Sequence, residues 1–341
     1  MRKLLNTLYV TNPDVYLTKD GESIVATRDG MPLLRVPAIN IESIVCFNRM
    51  GVTPHLMQLC TQHNIGLCFL SQSGRFMARV SGPVSGNVLL RRQQYHLADS
   101  TEKTLSLSKL FIAAKIHNSR KALERLKRDH PERATLVTQP SEQLNQIKAH
   151  SLRAQNLDQL RGYEGQAANV YFAAFQHMIL VDHHAFRFTT RSRRPPRDPV
   201  NSLLSFTYTL LAHEMQSALE TVGLDPYVGF LHTERPGRTS LAFDLMEEMR
   251  SYLCDRLVLT LINRQQIRPN DFAENGEQNI ILKDQARRTL IDVWQNRKKE
   301  EITHPYLKER IPIGLLPYVQ AMLLARHFRG DLDNYPVFII Q

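Results

Sequence analysis

Over positions 1–80, apolar residues recur at every second place or in short runs, at 8–10, 15–17, 24–26, 33–36 and 44–47. This is the period of strands that bury one face. The breaks between runs carry Lys19-Asp20-Gly21 and Arg28-Asp29-Gly30, and Asp-Gly in that setting predicts tight hairpins. A short helix is predicted over 53–64, a buried strand over 65–70, and a hairpin through 71–75 into a strand over 76–80. The stretch 81-SGPVSGN-87 interrupts every pattern, as a domain boundary does. Beyond it the period becomes about 3.6. Helices are predicted near 87–98, 104–129, 141–156, 163–180, 200–222, 240–262, 281–297 and 312–328. The expected fold class is α+β: a small N-terminal β domain over 1–82, a linker over 83–87, and a larger all-α C-terminal domain over 88–341 that carries the chemistry.

Composition adds a partner. At 341 residues, with 43% apolar and 22% charged positions, the chain suits a globular protein of roughly two domains. Its 43 Lys+Arg against 33 Asp+Glu leave a net +10, an excess that favours a polyanion, most commonly nucleic acid. The cysteines Cys46, Cys60, Cys68 and Cys254 form no CxxC pair, and three sit in apolar runs. They predict buried, reduced thiols and a cytosolic setting. With no apolar stretch of signal-peptide or membrane-spanning length, the expected location is the cytoplasm.

Chemistry enters where polar groups fall among apolar ones. The stretch 229-GFLHTERPGRTSLAFDLMEEMR-250 buries Phe230, Leu231 and a stripe of Leu241, Leu245 and Met249, yet carries His232, Asp244, Glu247 and Glu248. Helical spacing sets Asp244 beside Glu247 and Glu248, and like charges held that close need a proton or a cation between them. Solvated helix faces also carry such acids, so a second segment matters. In 161-RGYEGQAANVYFAAFQHMI-179, Glu164 heads a stripe of Ala168, Tyr171, Phe175 and Met178. A carboxylate there must be neutralised, by Arg161 for instance, or ligate a metal. Glu164, His232 and an acid from 244–248 would offer oxygen-rich ligands with one nitrogen, a set suited to Mg²⁺ or Mn²⁺ rather than zinc.

Other motifs fail. In 212-AHEMQS-217, Ser217 stands where a zinc protease needs its second histidine. Asp182-His183-His184 reads as a surface loop, and phosphate-cradling and nucleophile-elbow motifs are missing. The run 187-RFTTRSRRPPRDPVN-201 carries Arg187, Arg191, Arg193, Arg194 and Arg197 beside prolines. It predicts a DNA-contacting loop, since the guanidinium fork matches phosphate oxygens. A strip of Arg120, Lys121, Arg125, Lys127 and Arg128 predicts a solvated helix face.

These segments together resemble a known family, the CRISPR-associated integrase, a metal-dependent DNA endonuclease of spacer acquisition in antiviral defence. The carriers are Glu164 in Glu-Gly-x-Ala-Ala-x-x-Tyr-Phe, Gly-Phe-Leu-His ending at His232, the segment from Ser240 to Arg250, the loop from Pro195 to Asn201, and the tail from Ala325 to Pro336. The likeness covers essentially the whole chain, and the tail resembles the subtype I-C branch. The resemblance implies Glu164, His232 and Glu247 as ligands of Mg²⁺ or Mn²⁺, with Asp244 a supporting catalytic acid and Asn201 on the DNA-binding loop. Where the family often has Asp as third ligand, Glu247 is one methylene longer. The implied reaction joins the 3′-hydroxyl ends of short foreign DNA into a repeat array by transesterification. Implied partners are double-stranded DNA, a second copy of the chain through the β domain, a small companion subunit bridging two dimers into a heterohexamer, and an end-trimming nuclease. A stand-alone structure-selective nuclease and a non-catalytic DNA-binding scaffold are the alternatives.

Overall fold

The structure is a computed structural model and describes all residues except 1–6, 48–50, 64, 72–75, 81, 83–87, 182–183, 277–278 and 341. The expected linker at 83–87, most of the hairpin turn at 71–75, and Asp182 and His183 lie outside the described residues. Two compact units emerge. One joins Met1–Ser85 with Asp284–Glu300 and Pro312–Leu315; the other holds Gly86–Lys283, Glu301–Ile311 and Leu316–Gln341.

In the first unit, β2 (Tyr16–Asp20), β3 (Ser23–Arg28) and β4 (Met31–Pro37) form an antiparallel sheet with β3 central. Its turns use the expected residues: Gly21, Asp29 and Gly30 all have positive φ, the left-handed backbone that tight hairpins require. A second sheet orders β1 (Thr7–Val10), β5 (Ser43–Cys46), β6 (Gly66–Leu70) and β7 (Phe76–Val80). Here β1, β5 and β6 run parallel, and β7 is antiparallel to β6. Helix α1 (Pro54–Gln62) supplies the crossover from β5 to β6, capped by Thr53, whose side chain accepts from Leu56 N at 3.2 Å. Leu17, Ile24, Ile44, Leu56 and Leu67 form the core.

This unit also holds a helix from far along the chain. Helix α9 (Asp284–Lys299) donates from Gln295 Nε2 to Thr7 O at 3.1 Å and lays Arg287 over the Phe47 ring at 5.7 Å. Trp294 is buried on its inner face. Sequence order assigns this helix to the C-terminal part, whereas packing joins it to the strands.

The second unit is mostly helical: α2 (Val88–Asp99), α3 (Thr101–Asp129), α4 (Ala134–Leu152), α5 (Leu157–Phe175), α6 (Pro199–Val222), α7 (Ser240–Met246), α8 (Arg256–Asn263) and α10 (Leu316–Arg329). It is not all-α. The pairs β8 (Phe272–Glu274) with β9 (Ile280–Leu282), and β10 (Glu301–Thr303) with β11 (Arg310–Pro312), are two-stranded ribbons. Their three-residue strands are too short to show a period. The N-caps of α3, α5 and α6 are Ser100, Asn156 and Asp198, residue types that satisfy the free amides of a first turn. Helix α4 runs through Pro140, where proline predicts a start. Helices α3, α4 and α5 pack together, and that packing outweighs the lost backbone bond.

The predicted helix over 240–262 is broken. α7 ends at Met246, a turn covers 247–249, and a π-helical turn (Ser251–Asp255) precedes α8. Wide turns of this kind re-aim side chains and gather at functional sites.

Candidate metal centre

Four elements of the second unit deliver the polar side chains. Helix α3 brings Lys115, α5 brings Glu164, the loop before α7 brings His232, and the turn after α7 brings Glu247. Gly229 decides how the loop lies. A Cβ there would stand 2.7 Å from Ser240 Cβ, 2.8 Å from Ser240 C and 2.9 Å from Asp244 Oδ2, so only glycine permits this approach to α7. The reward is a ring of amides around Asp244. Its Oδ2 accepts from Phe230 N at 2.6 Å and Leu231 N at 3.1 Å, and its Oδ1 accepts from His232 N at 3.0 Å. Asp244 Oδ1 also lies 2.6 Å from His232 Nδ1. A carboxylate only accepts, so Nδ1 carries the proton and Nε2 presents a lone pair. Asp244 is fully buried and orients the imidazole.

Glu164 and Glu247 meet on one cation. The Lys115 ammonium contacts Glu164 Oε1 and stands 2.9 Å from Glu247 Oε2. Arg161, one cation that could have neutralised Glu164, instead donates to Asp158 Oδ1 at 2.9 Å and to Leu231 O at 3.0 Å. The other oxygen of Glu247 accepts from Arg250 Nη1 at 2.5 Å. Glu247 Oε2 is buried and receives no aligned hydrogen bond, in spite of the nearby ammonium. Burial alone would raise the Glu247 pKa, but the charges of Arg250 and Lys115, with His232 behind them, hold it well below the usual carboxylate range. Oε2 is thus an anionic oxygen whose counter-charge is the Lys115 ammonium.

Arg250 is itself held. It stacks on the Tyr208 ring at 4.2 Å, and the Tyr208 hydroxyl donates to Asp255 Oδ1 at 2.6 Å, while Tyr171 donates to Asp255 Oδ2 at 2.9 Å. Burial raises the Asp255 pKa against those bonds and the Arg250 charge. A cavity of about 30 Å³ lies among Lys115, Ala168, Tyr171, Tyr208, Arg250 and Asp255.

Glu248 faces away from this cluster. It is fully buried and accepts from Tyr335 Oη at 2.5 Å, Gln320 Nε2 at 3.0 Å and the Phe338 amide. Helical spacing leaves Glu247 and Glu248 equivalent; the structure turns one to Lys115 and the other to the C-terminal tail.

The donor set fits a hard divalent cation: two carboxylates, one with a buried oxygen lacking a directed donor, and an imidazole with its lone pair set by Asp244. As placed, Lys115 fills the cationic role. Among the described residues no three acid, imidazole or thiol groups stand close enough together to hold an ion.

The basic loop requires a correction. Arg191 and Asn201 do not face outward. Asn201 is fully buried; its Oδ1 accepts from Arg191 Nη1 at 2.6 Å and Ser192 N at 3.0 Å, and its Nδ2 donates to Thr190 O at 2.8 Å. Arg191 also donates to Ser205 Oγ at 3.1 Å and lies 5.3 Å from the Tyr208 ring centroid. Both anchor the loop, because the buried Asn201 amide must satisfy itself internally and Arg191 is one of its partners. Arg187, Arg193, Arg194 and Arg197 are exposed. On α3, Arg120, Arg125, Lys127 and Arg128 pair with Glu124 or Asp129, the solvated face expected. The residues that periodicity missed are Lys115 and Arg250. Lys115 is a lone cation one turn after Phe111 and Ile112 on α3, a faint signal; Arg250 stands in the quoted segment without a role.

The family profile described as CRISPR associated protein Cas1 matches residues 8–296. The chain is 48% identical over 343 residues to CRISPR-associated endonuclease Cas1 1 of Chlorobaculum tepidum, covering 99% of each. It is 50% identical over 345 residues to CRISPR-associated endonuclease Cas1 2 of Rhodospirillum rubrum, covering 98% of each. A CRISPR-associated exonuclease Cas4/endonuclease Cas1 fusion of Geobacter sulfurreducens is 37% identical over 335 residues, 97% of this chain and 60% of that protein. Among solved structures, a Cas6-RT-Cas1–Cas2 complex contains a chain matched at TM-score 0.85 and 22% identity, over 100% of this chain and 36% of that one. A Cas1 protein from Thermotoga maritima matches at TM-score 0.81 and 21% identity, over 98% and 100%. A casposase bound to its integration product matches at 0.79 and 23%, over 97% and 92%. At such identities the structures speak to fold, while the profile and the sequence relatives carry the assignment. The chain belongs to the Cas1 family of CRISPR-associated endonucleases.

Proposed function

We propose that the chain is a divalent-metal-dependent DNA integrase and endonuclease that joins 3′-hydroxyl ends of short foreign DNA into a CRISPR repeat array. The observation that carries this reading is the convergence of Glu164 and Glu247, from distant elements, on a single positive charge. Glu164, His232 and Glu247 would hold Mg²⁺ or Mn²⁺. Bound there, the ion would supply a Lewis acid for the scissile phosphate and offset charge in the transition state. Asp244 keeps His232 in the tautomer that presents Nε2, and Arg250 fixes the orientation of Glu247. The attacking hydroxyl belongs to DNA, so no protein nucleophile is required. Exposed Arg187, Arg193, Arg194 and Arg197 supply phosphate contacts.

Partners follow the same reading. The edge strand β4 exposes Met31 (69%), Leu33 (58%) and Leu34 (44%), with Ile39 (87%) beyond it. Such apolar exposure on a sheet edge supports homodimerisation through the strand-rich unit. A structure of a Cas1–Cas2 complex and a protein fusing the exonuclease Cas4 to Cas1 support partner proteins, which this reading takes as a small companion subunit in a heterohexamer and an end-trimming nuclease. The tail from Ala325 to Pro336 supports subtype I-C. No helix among the described residues is long and apolar enough to cross a membrane, and cytoplasmic DNA is the proposed substrate.

The test incubates the protein and its companion with short 3′-hydroxyl duplexes and a repeat-bearing plasmid in Mn²⁺, Mg²⁺ or chelator. Joining is expected only with metal, and Glu164→Ala, His232→Ala and Glu247→Ala should abolish it while DNA binding persists. Joining at the wild-type rate by any of the three would falsify the ligand set.

A further inference from the structure

Lys115 sits where the site's cation belongs. Its side chain is 14% exposed and reaches Glu164, 29% exposed, and Glu247, 4% exposed. Arg250 already takes Glu247 Oε1. The oxygen left for any ligand is Oε2, and Lys115 stands 2.9 Å from it without an aligned hydrogen bond. An incoming dication and the ammonium therefore want the same two oxygens, Glu164 Oε1 and Glu247 Oε2. Without either, two carboxylates would face each other across a partly dry site and repel, since like charges at that range disfavour joint ionisation. Lys115 also lines the cavity beside Tyr171 and Asp255.

We propose that Lys115 is a positioning residue, a resident counter-ion that holds Glu164 and Glu247 together in the metal-free protein and competes with the divalent cation. This rests on the assignment of Glu164, His232 and Glu247 as ligands. Two consequences follow with opposite signs. Removing the ammonium destabilises the metal-free protein, because a carboxylate pair is left without its partner. The same change tightens metal binding, because a competitor is gone. A lysine with a purely structural role would give the first effect without the second.

The experiment titrates full-length wild type, Lys115→Met, Lys115→Met/Glu164→Gln and Glu247→Gln with Mn²⁺, counting free ion by electron paramagnetic resonance, and records thermal unfolding in chelator. Lys115→Met should bind Mn²⁺ about tenfold tighter, a measurable change in free energy, and should melt lower in chelator. Adding Glu164→Gln should restore much of that melting temperature by removing one of the repelling charges. Unchanged or weaker Mn²⁺ binding by Lys115→Met overturns the proposal. So does failure of the double variant to recover folding should Lys115→Met prove unstable without metal. If wild type and Glu247→Gln bind Mn²⁺ alike, the ligand assignment itself is wrong and the role of Lys115 falls with it.

Discussion

Two adjacent acids show how much one residue of phase decides. Glu247 and Glu248 are the same side chain one position apart, in one apolar segment. Glu247 faces Lys115 and Arg250, whereas Glu248 accepts from Tyr335, Gln320 and the Phe338 amide. Their substitutions should part cleanly. Glu247→Gln removes a proposed ligand, so joining per folded molecule should fall to background. Glu248→Gln keeps size but puts two amide hydrogens where the carboxyl carries at most one and where donors converge, at a cost of about 1–3 kcal/mol. For a unit of this size that is a fall of about 2–4 °C in melting temperature per kcal/mol, with joining retained below the transition. Equal loss of joining in both variants would remove Glu247 from the site. The family motif points to Glu247 where helical spacing leaves the two acids equivalent, and the break at 247–249 interrupts the helix whose period would have been used.

At the scale of elements, the arginine loop divides into anchors and phosphate-facing side chains. Asp198 caps α6 by accepting from Asn201 N at 2.8 Å, and Asn201 in turn holds Arg191. Composition shows a dense positive run but not which guanidinium turns inward; that depends on Tyr208 and Ser205, which α6 presents from another turn. Replacing Arg193, Arg194 and Arg197 with Ala should weaken DNA binding and flatten its salt dependence, by about 0.9 in log–log slope for each phosphate no longer neutralised. Arg191→Ala should instead lower thermal stability and leave that slope nearly unchanged. A fluorescence-anisotropy titration across salt concentrations checks both, and an Arg191→Ala slope matching the triple variant would count against the anchoring role.

Across the whole molecule, the C-terminal tail closes over the second unit. Asn118 on α3 donates to Glu248 O at 2.7 Å and Phe338 O at 2.9 Å and accepts from Ile340 N at 2.8 Å. Burial pushes Glu248 up to about 8 from 4.5, further than Tyr335, Phe338 and Gln320 pull it down. A carboxyl raised on folding binds more protons folded than unfolded between those values. Its contribution to stability is complete below about pH 4.5 and is lost as pH rises towards about 8. Glu247 works in the opposite sense, its depressed value making a contribution that is lost only in acid, so the two windows do not overlap. The urea midpoint of wild type should therefore fall relative to that of Glu248→Gln between about pH 5 and about pH 8. A difference between the two that stays constant across that window would contradict this docking of the tail.

Taken alone, the chain disclosed what is local. Alternation, Asp-Gly turns and capping residues act over a few positions, so the antiparallel hairpins, most helices and the change from strands, the last ending at Val80, to helices, from Val88, could be read from it. The motif likeness added Glu164, His232, Asp244 and Glu247 as a group. Three-dimensional packing settled what depends on partners distant in the chain: the parallel pairing of β1 with β5, the return of α9 to the strand-rich unit, the inward turn of Arg191 and Asn201, and the meeting of Glu164 and Glu247 on Lys115. A buried charge is stable only beside its counter-charge, and no local period encodes which distant side chain will supply it.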